Sequence, residues 1–221
     1  NKYDLCHHQV TLKAIHNLRE VGLKGFAVSA INRINLSKII EISREMIPPK
    51  HEKSVGSWMM IGGMPNVGKS TIINKLRLQA PKIKGKYATK TSKSPAETRI
   101  VHGFKVSTDP NAWLMDTPGI MLPSIQEGEL GVKLGLIGCI NDKIIGKPVL
   151  VDYLFDCMMK YKVHDFVKFY NLRGMPETPD EMLAQIRERH LHPDTEKTCE
   201  MVLNDFRMGK LGKITLDEVD L

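Results

Sequence analysis

The residues from Gly63 to Ser70 read GMPNVGKS and fit the pattern GxxxxGKS/T. Glycines in such a turn let backbone N–H groups face phosphate oxygens. Lys69 offers a positive charge to the β and γ phosphates, and the hydroxyl of Ser70 is a ligand for Mg²⁺. A strand-like stretch, WMMIGG (58–63), precedes the motif, and a helix-like stretch, GKSTIINKLRL (68–78), follows it. The sequence therefore predicts a phosphate-binding loop between a strand and a helix.

A second phosphate-related motif is DTPG, from Asp116 to Gly119, directly after the strand-like run AWLM. In phosphate-loop proteins an aspartate at a strand end anchors Mg²⁺, directly or through water. Gly119 would bring its backbone N–H close to the γ-phosphate. The motif predicts a metal-supporting carboxylate at Asp116.

The first four residues, Asn1-Lys2-Tyr3-Asp4, have the form NKxD. A carboxylate accepts hydrogen bonds from both the ring N–H and the exocyclic amine of guanine, so Asp4 would select guanine over adenine. Asn1 would tie this loop to the base and the phosphate loop, and the Lys2 stem would cover the base. Small residues at Ser29-Ala30 would let a backbone N–H reach the guanine oxygen. The alternative is a polar turn that precedes a helix.

Helix-like and strand-like stretches alternate in the first half of the chain. Apolar spacing predicts helices at HQVTLKAIHNLREVG, at LSKIIEISREMI (36–47) and at 68–78. Apolar runs predict buried strands at GFAVSA (25–30) and WMMIGG, and two further strands at VHGFKVS (101–107) and AWLMD (112–116). Such alternation predicts an α/β sheet with crossovers.

From Gly131 onward the sequence predicts helices and no convincing strand. Helix-like runs occur at GVKLGLIGCIN and VLVDYLFDCMMKY, and TPDEMLAQIRER opens with a capping box. In the last helix Cys199, Val202 and Leu203 share one face. We therefore predict two domains, residues 1–124 and 125–221, the second small and all-α.

Charge is distributed unevenly along the 221 residues. The chain carries 32 Lys and Arg against 25 Asp and Glu, and residues 1–124 hold 19 of the basic side chains but only 8 acidic ones. Nine basic residues and the single acid Glu97 lie between Lys75 and Lys105. This balance indicates a polyanionic partner, through phosphate contacts; the alternative is a solvated basic surface. The four cysteines show neither zinc nor disulfide spacing, and His190, His192 and Cys199 are interpreted as surface or packing residues.

The motif order NKYD, SA, GMPNVGKS, the threonine of SPAETR and DTPG resembles that of the circularly permuted GTPases. Among them the chain resembles the ribosome-biogenesis GTPase A (YlqF/RbgA) family and its mitochondrial members, through DTPGIMLPSIQEGELGVKLGLIGCINDKIIGKPVLVDYL and the closing LGKITLDEVDL. The resemblance implies an α/β fold, a GTPase-type, mostly parallel sheet that is circularly permuted. Two strands expected before Asn1 are missing from the sequence, so we expect an N-terminally incomplete piece of a longer protein.

The resemblance also implies roles for individual residues. Lys69, Thr98 and Gly119 would act on the γ-phosphate, and Mg²⁺ would be held by Ser70, Thr98 and Asp116. Residues implied to bind GTP or GDP are Asn1, Lys2, Tyr3, Asp4, Ser29, Ala30, Asn66, Val67, Gly68, Lys69, Ser70, Thr71 and Gly119. Asn66 matches an asparagine that helps to hold K⁺ against the phosphates in similar proteins.

The implied function is GTP hydrolysis during late assembly of the large ribosomal subunit, with the loop 75–105 contacting rRNA. Ile120 occupies the place where many GTPases have a water-orienting glutamine, so turnover should be slow alone and stimulated by the ribosomal particle. The implied location is the matrix face of the mitochondrial inner membrane, as a peripherally associated monomer; bacterial cytoplasm or plastid stroma is the alternative. Two other interpretations remain open: an ATP-using phosphate-loop enzyme, and a nucleotide-gated ribosome-binding module with negligible hydrolysis.

Overall fold

The computed structural model describes residues 1–46, 56–80, 102–109, 111–120, 128–190 and 194–217. By internal contacts the chain divides into two units. The first comprises Asn1–Tyr3 and Lys24–Leu122, and the second Asp4–Leu23 and Pro123–Leu221. The expected boundary at 124/125 lies close to this division. Residues 4–23, however, which the sequence predicts to lie in the first domain, group with the second unit.

The described residues form helices and three strands along the chain. A single 3-10 turn at Tyr3–Leu5 precedes the first α-helix. The elements in chain order are α1 (His8–Glu20), α2 (Lys38–Met46), β1 (Ser57–Ile61), α3 (Lys69–Gln79), β2 (His102–Thr108), β3 (Asn111–Asp116), α4 (Gly128–Leu136), α5 (Asp142–Ile145), α6 (Lys147–Lys160), α7 (Asp165–Phe169), α8 (Pro179–His190) and α9 (Thr195–Arg207). No helix within the described ranges is both long and apolar enough to cross a membrane.

The sheet of the first unit has the strand order β1-β3-β2. β1 and β3 are parallel, with Ile61 opposite Asp116, whereas β2 and β3 are antiparallel. The described strands therefore form a mixed sheet, whereas the family resemblance implied a mostly parallel one. The connection between Thr108 and Asn111 is too short for a crossover, so those two strands must run in opposite directions.

One face of the sheet forms the core of the first unit. Ile72, Ile73 and Leu76 of α3 pack there, together with residues such as Ala112 and Leu114 of β3. The opposite face leaves Trp58 45% and Met60 69% exposed within the structure. The prediction of a strand at WMMIGG is confirmed, but the prediction that the strand is buried is wrong for Trp58 and Met60, because successive side chains point to opposite faces of the sheet.

The predicted strand at GFAVSA is also wrong. The structure has no strand at residues 25–30, only an isolated bridge between Ser29 and Ile34. Val28 accepts a hydrogen bond from the Tyr3 N–H at 3.1 Å. A strand requires a regular ladder of backbone hydrogen bonds to a neighbouring strand, and these separate contacts do not form one. The segment is nonetheless well packed, because Val28, Ser29 and Ala30 are all buried.

The described part of the second unit contains helices joined by turns and no β-strand. Its core includes Leu150, Leu154 and Met158 of α6 together with Val202 and Leu203 of α9. At the start of α8 the hydroxyl of Thr178 accepts from Glu181 N at 3.2 Å, as in the predicted capping box. The Glu181 carboxylate accepts from Glu177 N at 2.8 Å, one residue before the position that the capping box predicts. The short helix α7 was not predicted.

The segment 4–23 is fixed to the second unit near its C-terminal end. His7 N donates to the Thr215 hydroxyl at 3.0 Å. The Leu5 side chain lies so close to Gly209 that an added Cβ there would meet it at 2.5 Å. These contacts explain why a segment at the start of the sequence belongs to a unit formed mainly by its end.

Candidate nucleotide-binding site

The predicted phosphate loop lies between β1 and α3, as the motif requires. Gly68 directly precedes α3 and has a φ of 90°, and Asn66 has a φ of 57°. At Gly68 an added Cβ would collide with the side-chain amide of Asn1. A glycine is thus required there both by the left-handed backbone and by the close approach of a neighbouring side chain.

Lys69 occupies the first position of α3, and its side chain folds back over the loop. Its ammonium donates to the carbonyl oxygens of Gly63 at 3.0 Å and Met64 at 2.8 Å. The residue is only 9% exposed. The positive charge is therefore held at the rim of the loop whose backbone N–H groups are suited to phosphate oxygens.

Asp116, at the end of β3, meets the phosphate-loop helix. Its Oδ2 atom accepts from the Ser70 hydroxyl at 2.8 Å, and the residue is 2% exposed. Its other oxygen, Oδ1, is buried and has no hydrogen-bond partner among the described residues. A buried carboxylate oxygen without a partner is costly, which indicates that a further group binds it.

These residues fit Mg²⁺. A hydroxyl and a carboxylate oxygen are the hard ligands that Mg²⁺ prefers, and the ion usually takes only one or two protein ligands plus substrate phosphates and water. The described ranges contain no cluster of three or more His, Cys, Asp or Glu side chains that would form an all-protein cage. Ser70 and Asp116 would hold the ion; Thr98, the third predicted ligand, lies outside the described residues.

The DTPG segment packs against the start of the phosphate loop. Ile120 N donates to the Gly63 carbonyl at 3.1 Å. A Cβ added to Gly119 would lie 2.7 to 2.9 Å from atoms of Pro65, including backbone atoms. The Ile120 side chain is 66% exposed. The segment thus approaches the loop through its backbone, and only glycine fits at position 119.

Asn1 joins the two predicted halves of the site. Its side-chain nitrogen donates to the carbonyls of Val67 at 2.9 Å and Gly68 at 3.2 Å, and its oxygen accepts from Ala30 N at 3.1 Å. One side chain therefore connects NKYD, the phosphate loop and the SA segment. The sequence predicted that Asn1 would contact the phosphate loop. The hydrogen bond from Ala30 N to the Asn1 side chain was not predicted.

The remaining predicted site residues are placed as follows. Tyr3 is half-buried, its N–H bonded to Val28, and Lys2 has a φ of 61°. Ser29 is buried, and its hydroxyl accepts from Asn32 N at 3.2 Å. Thr71 follows Ser70 on α3. Asp4 is half-buried and belongs to the second unit.

Most of the predicted RNA-contacting loop 75–105 lies outside the described residues. Of its basic residues, Lys75, Arg77 and Lys105 are described. The Arg77 guanidinium lies 5.4 Å from the centre of the Phe104 ring, and the Lys105 ammonium 5.9 Å from that of Trp113. These two side chains therefore cover aromatic rings of the first unit.

Sequence reasoning missed one residue of this site, Thr117. Its hydroxyl donates to the carbonyl of Ile61 at 2.6 Å, and the residue is 9% exposed. The DTPG motif drew attention to its aspartate and its glycine only. The available signal was the position of Thr117 in the sequence: a residue with a hydroxyl group directly follows the strand that ends in Asp116.

A phosphate loop at the end of one strand, with a buried aspartate at the end of the neighbouring parallel strand, defines the class of P-loop nucleotide-binding proteins. The sequence profile described as 50S ribosome-binding GTPase matches residues 59–156. Ribosome biogenesis GTPase A of Bacillus cereus is 30% identical over 98% of this chain and 75% of its own length. Mitochondrial ribosome-associated GTPase 1 of Xenopus tropicalis is also 30% identical, over 98% and 76%.

The chain therefore belongs to the family of ribosome biogenesis GTPase A and mitochondrial ribosome-associated GTPase 1, and it is a GTP-binding GTPase. The predicted resemblance is confirmed. Mitochondrial GTPase 1 of Aedes aegypti is 33% identical over 72% of this chain, which spans about half, 55%, of that protein's length. The GDP-bound structure of TM YlqF has a TM-score of 0.61 at 21% identity, covering 98% of this chain and 80% of that one, which shows a shared fold.

Proposed function

We propose that this GTPase is a factor for assembly of the large ribosomal subunit, with low intrinsic turnover that the ribosomal particle stimulates. The observation that carries the guanine-nucleotide part is the side chain of Asn1, which contacts Val67 and Gly68 of the phosphate loop and the backbone of Ala30. A polar side chain that joins a base-reading motif to a phosphate loop has no evident use in a protein that binds phosphates alone.

In this proposal the motifs work in a circularly permuted order. Asn1, Lys2, Tyr3 and Asp4 bind guanine, with Ser29 and Ala30 as backbone support. The phosphates lie against the loop from Asn66 to Thr71. The Ser70 hydroxyl and the Asp116 carboxylate hold Mg²⁺, together with Thr98, and the backbone N–H of Gly119 approaches the γ-phosphate.

Slow intrinsic turnover follows from Ile120. This side chain is 66% exposed and aliphatic, so it offers no hydrogen bond that would orient an attacking water. We propose that Asn66 helps to hold K⁺ beside the phosphates, where its charge would stabilise the transition state. If hydrolysis is the same when Na⁺ replaces K⁺, this part of the proposal is wrong.

The ribosomal partner is proposed from the names of the relatives and from the charge of the chain. The relatives are named for ribosome biogenesis and for association with the mitochondrial ribosome. Residues 75–105 carry nine basic side chains and one acidic one, which favours contact with rRNA phosphates. Mitochondrial and bacterial relatives are similarly close; we propose the mitochondrial matrix, with peripheral inner-membrane association, and a monomeric state.

The deciding experiment is GTP hydrolysis by the full-length protein, with and without large ribosomal subunits, in K⁺ and in Na⁺. The proposal expects low turnover alone and a large increase on adding subunits in K⁺. If subunits bind in the presence of GTP but stimulate no hydrolysis in either salt, the second candidate, a nucleotide-gated binding module, replaces it. The exposed Ile120 is the observation that favours this candidate.

The variant Asp4→Asn tests separately whether Asp4 recognises guanine. Xanthine carries a carbonyl where guanine carries an amine, so an amide at position 4 would suit xanthine better than guanine. We expect the variant to lose GDP affinity and gain XDP affinity, measured by titration. Wild-type protein that binds ADP as tightly as GDP would favour an ATP-using enzyme instead.

A further inference from the structure

Thr117 connects the ends of two neighbouring strands. It is the first residue after β3, and its hydroxyl donates to the carbonyl of Ile61, the last residue of β1, at 2.6 Å. In the parallel ladder Ile61 lies opposite Asp116. The hydroxyl therefore fastens the two strands together at the point where their ladder ends.

The residue held in place by this bond is Asp116. Its backbone lies between the ladders to β1 and β2, and the hydroxyl of the following residue adds a hydrogen bond to β1. Its side chain accepts from Ser70 at 2.8 Å, while its Oδ1 atom is buried without a hydrogen-bond partner among the described residues. The position of that oxygen thus depends on how firmly the end of β3 is held against β1.

The segment after Thr117 begins at the same anchor. Two residues further on, Gly119 touches Pro65, and Ile120 N donates to the Gly63 carbonyl at 3.1 Å. Pro118, Gly119 and Ile120 have no side-chain group that could donate or accept a hydrogen bond, so within this stretch only Thr117 can bond to β1 through its side chain. Thr117 is therefore the point at which the segment leaves the rigid sheet.

We propose that Thr117 is a positioning residue for the Mg²⁺ site: its hydroxyl, bonded to the Ile61 carbonyl, sets the Asp116 carboxylate at the distance from Ser70 that the ion requires. The inference rests on the proposed nucleotide site and adds to it a residue that touches neither nucleotide nor metal. Geometry held to within about half an ångström is what such sites need, and a supporting hydrogen bond commonly supplies it.

The hydroxyl and the methyl group of Thr117 can be separated by substitution. Thr117→Val keeps the shape but removes the donor and leaves the Ile61 carbonyl without that bond. Thr117→Ser keeps the donor and removes the methyl group. Thr108→Val, at the end of β2 far from Asp116 along the sheet, is the matched control because it makes the same change away from the site.

The first measurement is a Mg²⁺ titration of GDP affinity in the full chain, which gives the Mg²⁺ concentration that produces half of the maximal increase in affinity. We expect about a two- to tenfold increase for Thr117→Val, the effect of losing one hydrogen bond. Thr117→Ser and Thr108→Val should match the wild type, and GDP affinity in EDTA should be equal in all four proteins. A purely structural defect would lower the folded fraction without moving the Mg²⁺ dependence.

The second measurement needs neither nucleotide nor metal. Hydrogen exchange at the amides of Gly119 and Ile120 should be faster in Thr117→Val than in wild type, and unchanged in Thr117→Ser. The inference is overturned if Thr117→Val matches wild type in both measurements, or if Thr117→Ser changes as much as Thr117→Val. If wild-type protein shows no Mg²⁺-dependent GDP binding, the proposed function fails instead, and hydrogen exchange alone still decides whether the hydroxyl fastens the segment.

Discussion

The hydroxyl of Ser70 donates a hydrogen bond to the Oδ2 atom of Asp116, with the two oxygens 2.8 Å apart. The two residues are 46 positions apart in sequence, one on α3 and the other at the end of β3. Their meeting places a hydroxyl and a buried carboxylate at the mouth of the phosphate loop, which is the donor set on which the Mg²⁺ assignment depends.

Ser70→Ala should weaken the Mg²⁺-dependent part of GDP binding about tenfold or more, because a ligand of the ion and a charge-assisted hydrogen bond are both lost. The measurement is GDP affinity by titration in Mg²⁺ and in EDTA. Ser107→Ala, a serine at the other end of the sheet, is the control and should behave as wild type in both conditions. Equal losses for Ser70→Ala in Mg²⁺ and in EDTA would contradict the assignment.

Gly119→Ala should impair hydrolysis more than binding. The new Cβ would meet Pro65 at less than 3 Å, so the segment must move away from the phosphate loop. We expect turnover with ribosomal subunits to fall about 10- to 100-fold, the usual effect of misplacing a group near the reacting atoms, with a smaller change in GDP affinity. Gly62→Ala is the matched control, since a Cβ there meets nothing within 4 Å. Normal turnover of Gly119→Ala would contradict the close approach of Gly119 to Pro65.

Removal of the Arg207 side chain should lower the stability of the second unit substantially. Arg207 donates to the carbonyls of Leu136 at 3.0 Å and Gly135 at 2.7 Å, at the end of α4, and it forms a bidentate pair with Asp142. We expect Arg207→Ala to lower the free energy of unfolding by about 2–4 kcal/mol.

The control for Arg207 is an ion pair on the surface of the same unit. Arg173 and Glu188 are 73% and 59% exposed, so Arg173→Ala should cost only about 0–1 kcal/mol. Chemical denaturation followed by circular dichroism measures both variants. Arg207→Lys should fall between wild type and Arg207→Ala, because a single ammonium cannot make the four hydrogen bonds of the guanidinium. Equal effects of the two alanine variants would show that the network adds little.

Asp152 should make stability depend on pH. Desolvation, followed by the charges of Asp180 and Asp156, raises the pKa of Asp152 above its ordinary value of 3.8. Since the folded state disfavours the carboxylate, ionised Asp152 lowers stability above its folded pKa, and this penalty vanishes as the pH falls below 3.8. Asp152→Asn should therefore stabilise the protein at pH 7, with a gain in urea denaturation that shrinks toward pH 3.8. A gain independent of pH would exclude ionisation as its cause.

The local part of the fold was predictable from the sequence. The phosphate loop, its strand and helix, and the capping box at Thr178 depend on residues close together in the chain. In contrast, residues 4–23 belong to the second unit because of tertiary contacts such as the hydrogen bond from His7 N to Thr215, 208 positions away. Local sequence patterns do not predict such contacts. The GFAVSA strand failed for a related reason, because apolar residues indicate burial but do not specify a ladder partner.

The site shows the same limit. The identity of Asn1, Ser70 and Asp116 followed from motifs whose chemistry is fixed by residue type. The role of Thr117 depends on a carbonyl 56 positions earlier in the chain, and no spacing rule relates the two. The hydroxyl reaches this carbonyl because the register of β1 and β3 places Ile61 beside Asp116, and that register is a property of the folded sheet.

The stacked pair Trp58 and Trp113 gives the protein a natural optical reporter. These are the two tryptophans of the chain, their rings 5.2 Å apart and tilted by 6°, on the strands β1 and β3 of the first unit. Tryptophan fluorescence therefore reports on the nucleotide-binding unit alone, while circular dichroism is dominated by the helices of the second. Comparing the two signals during denaturation distinguishes one cooperative transition from two without any label.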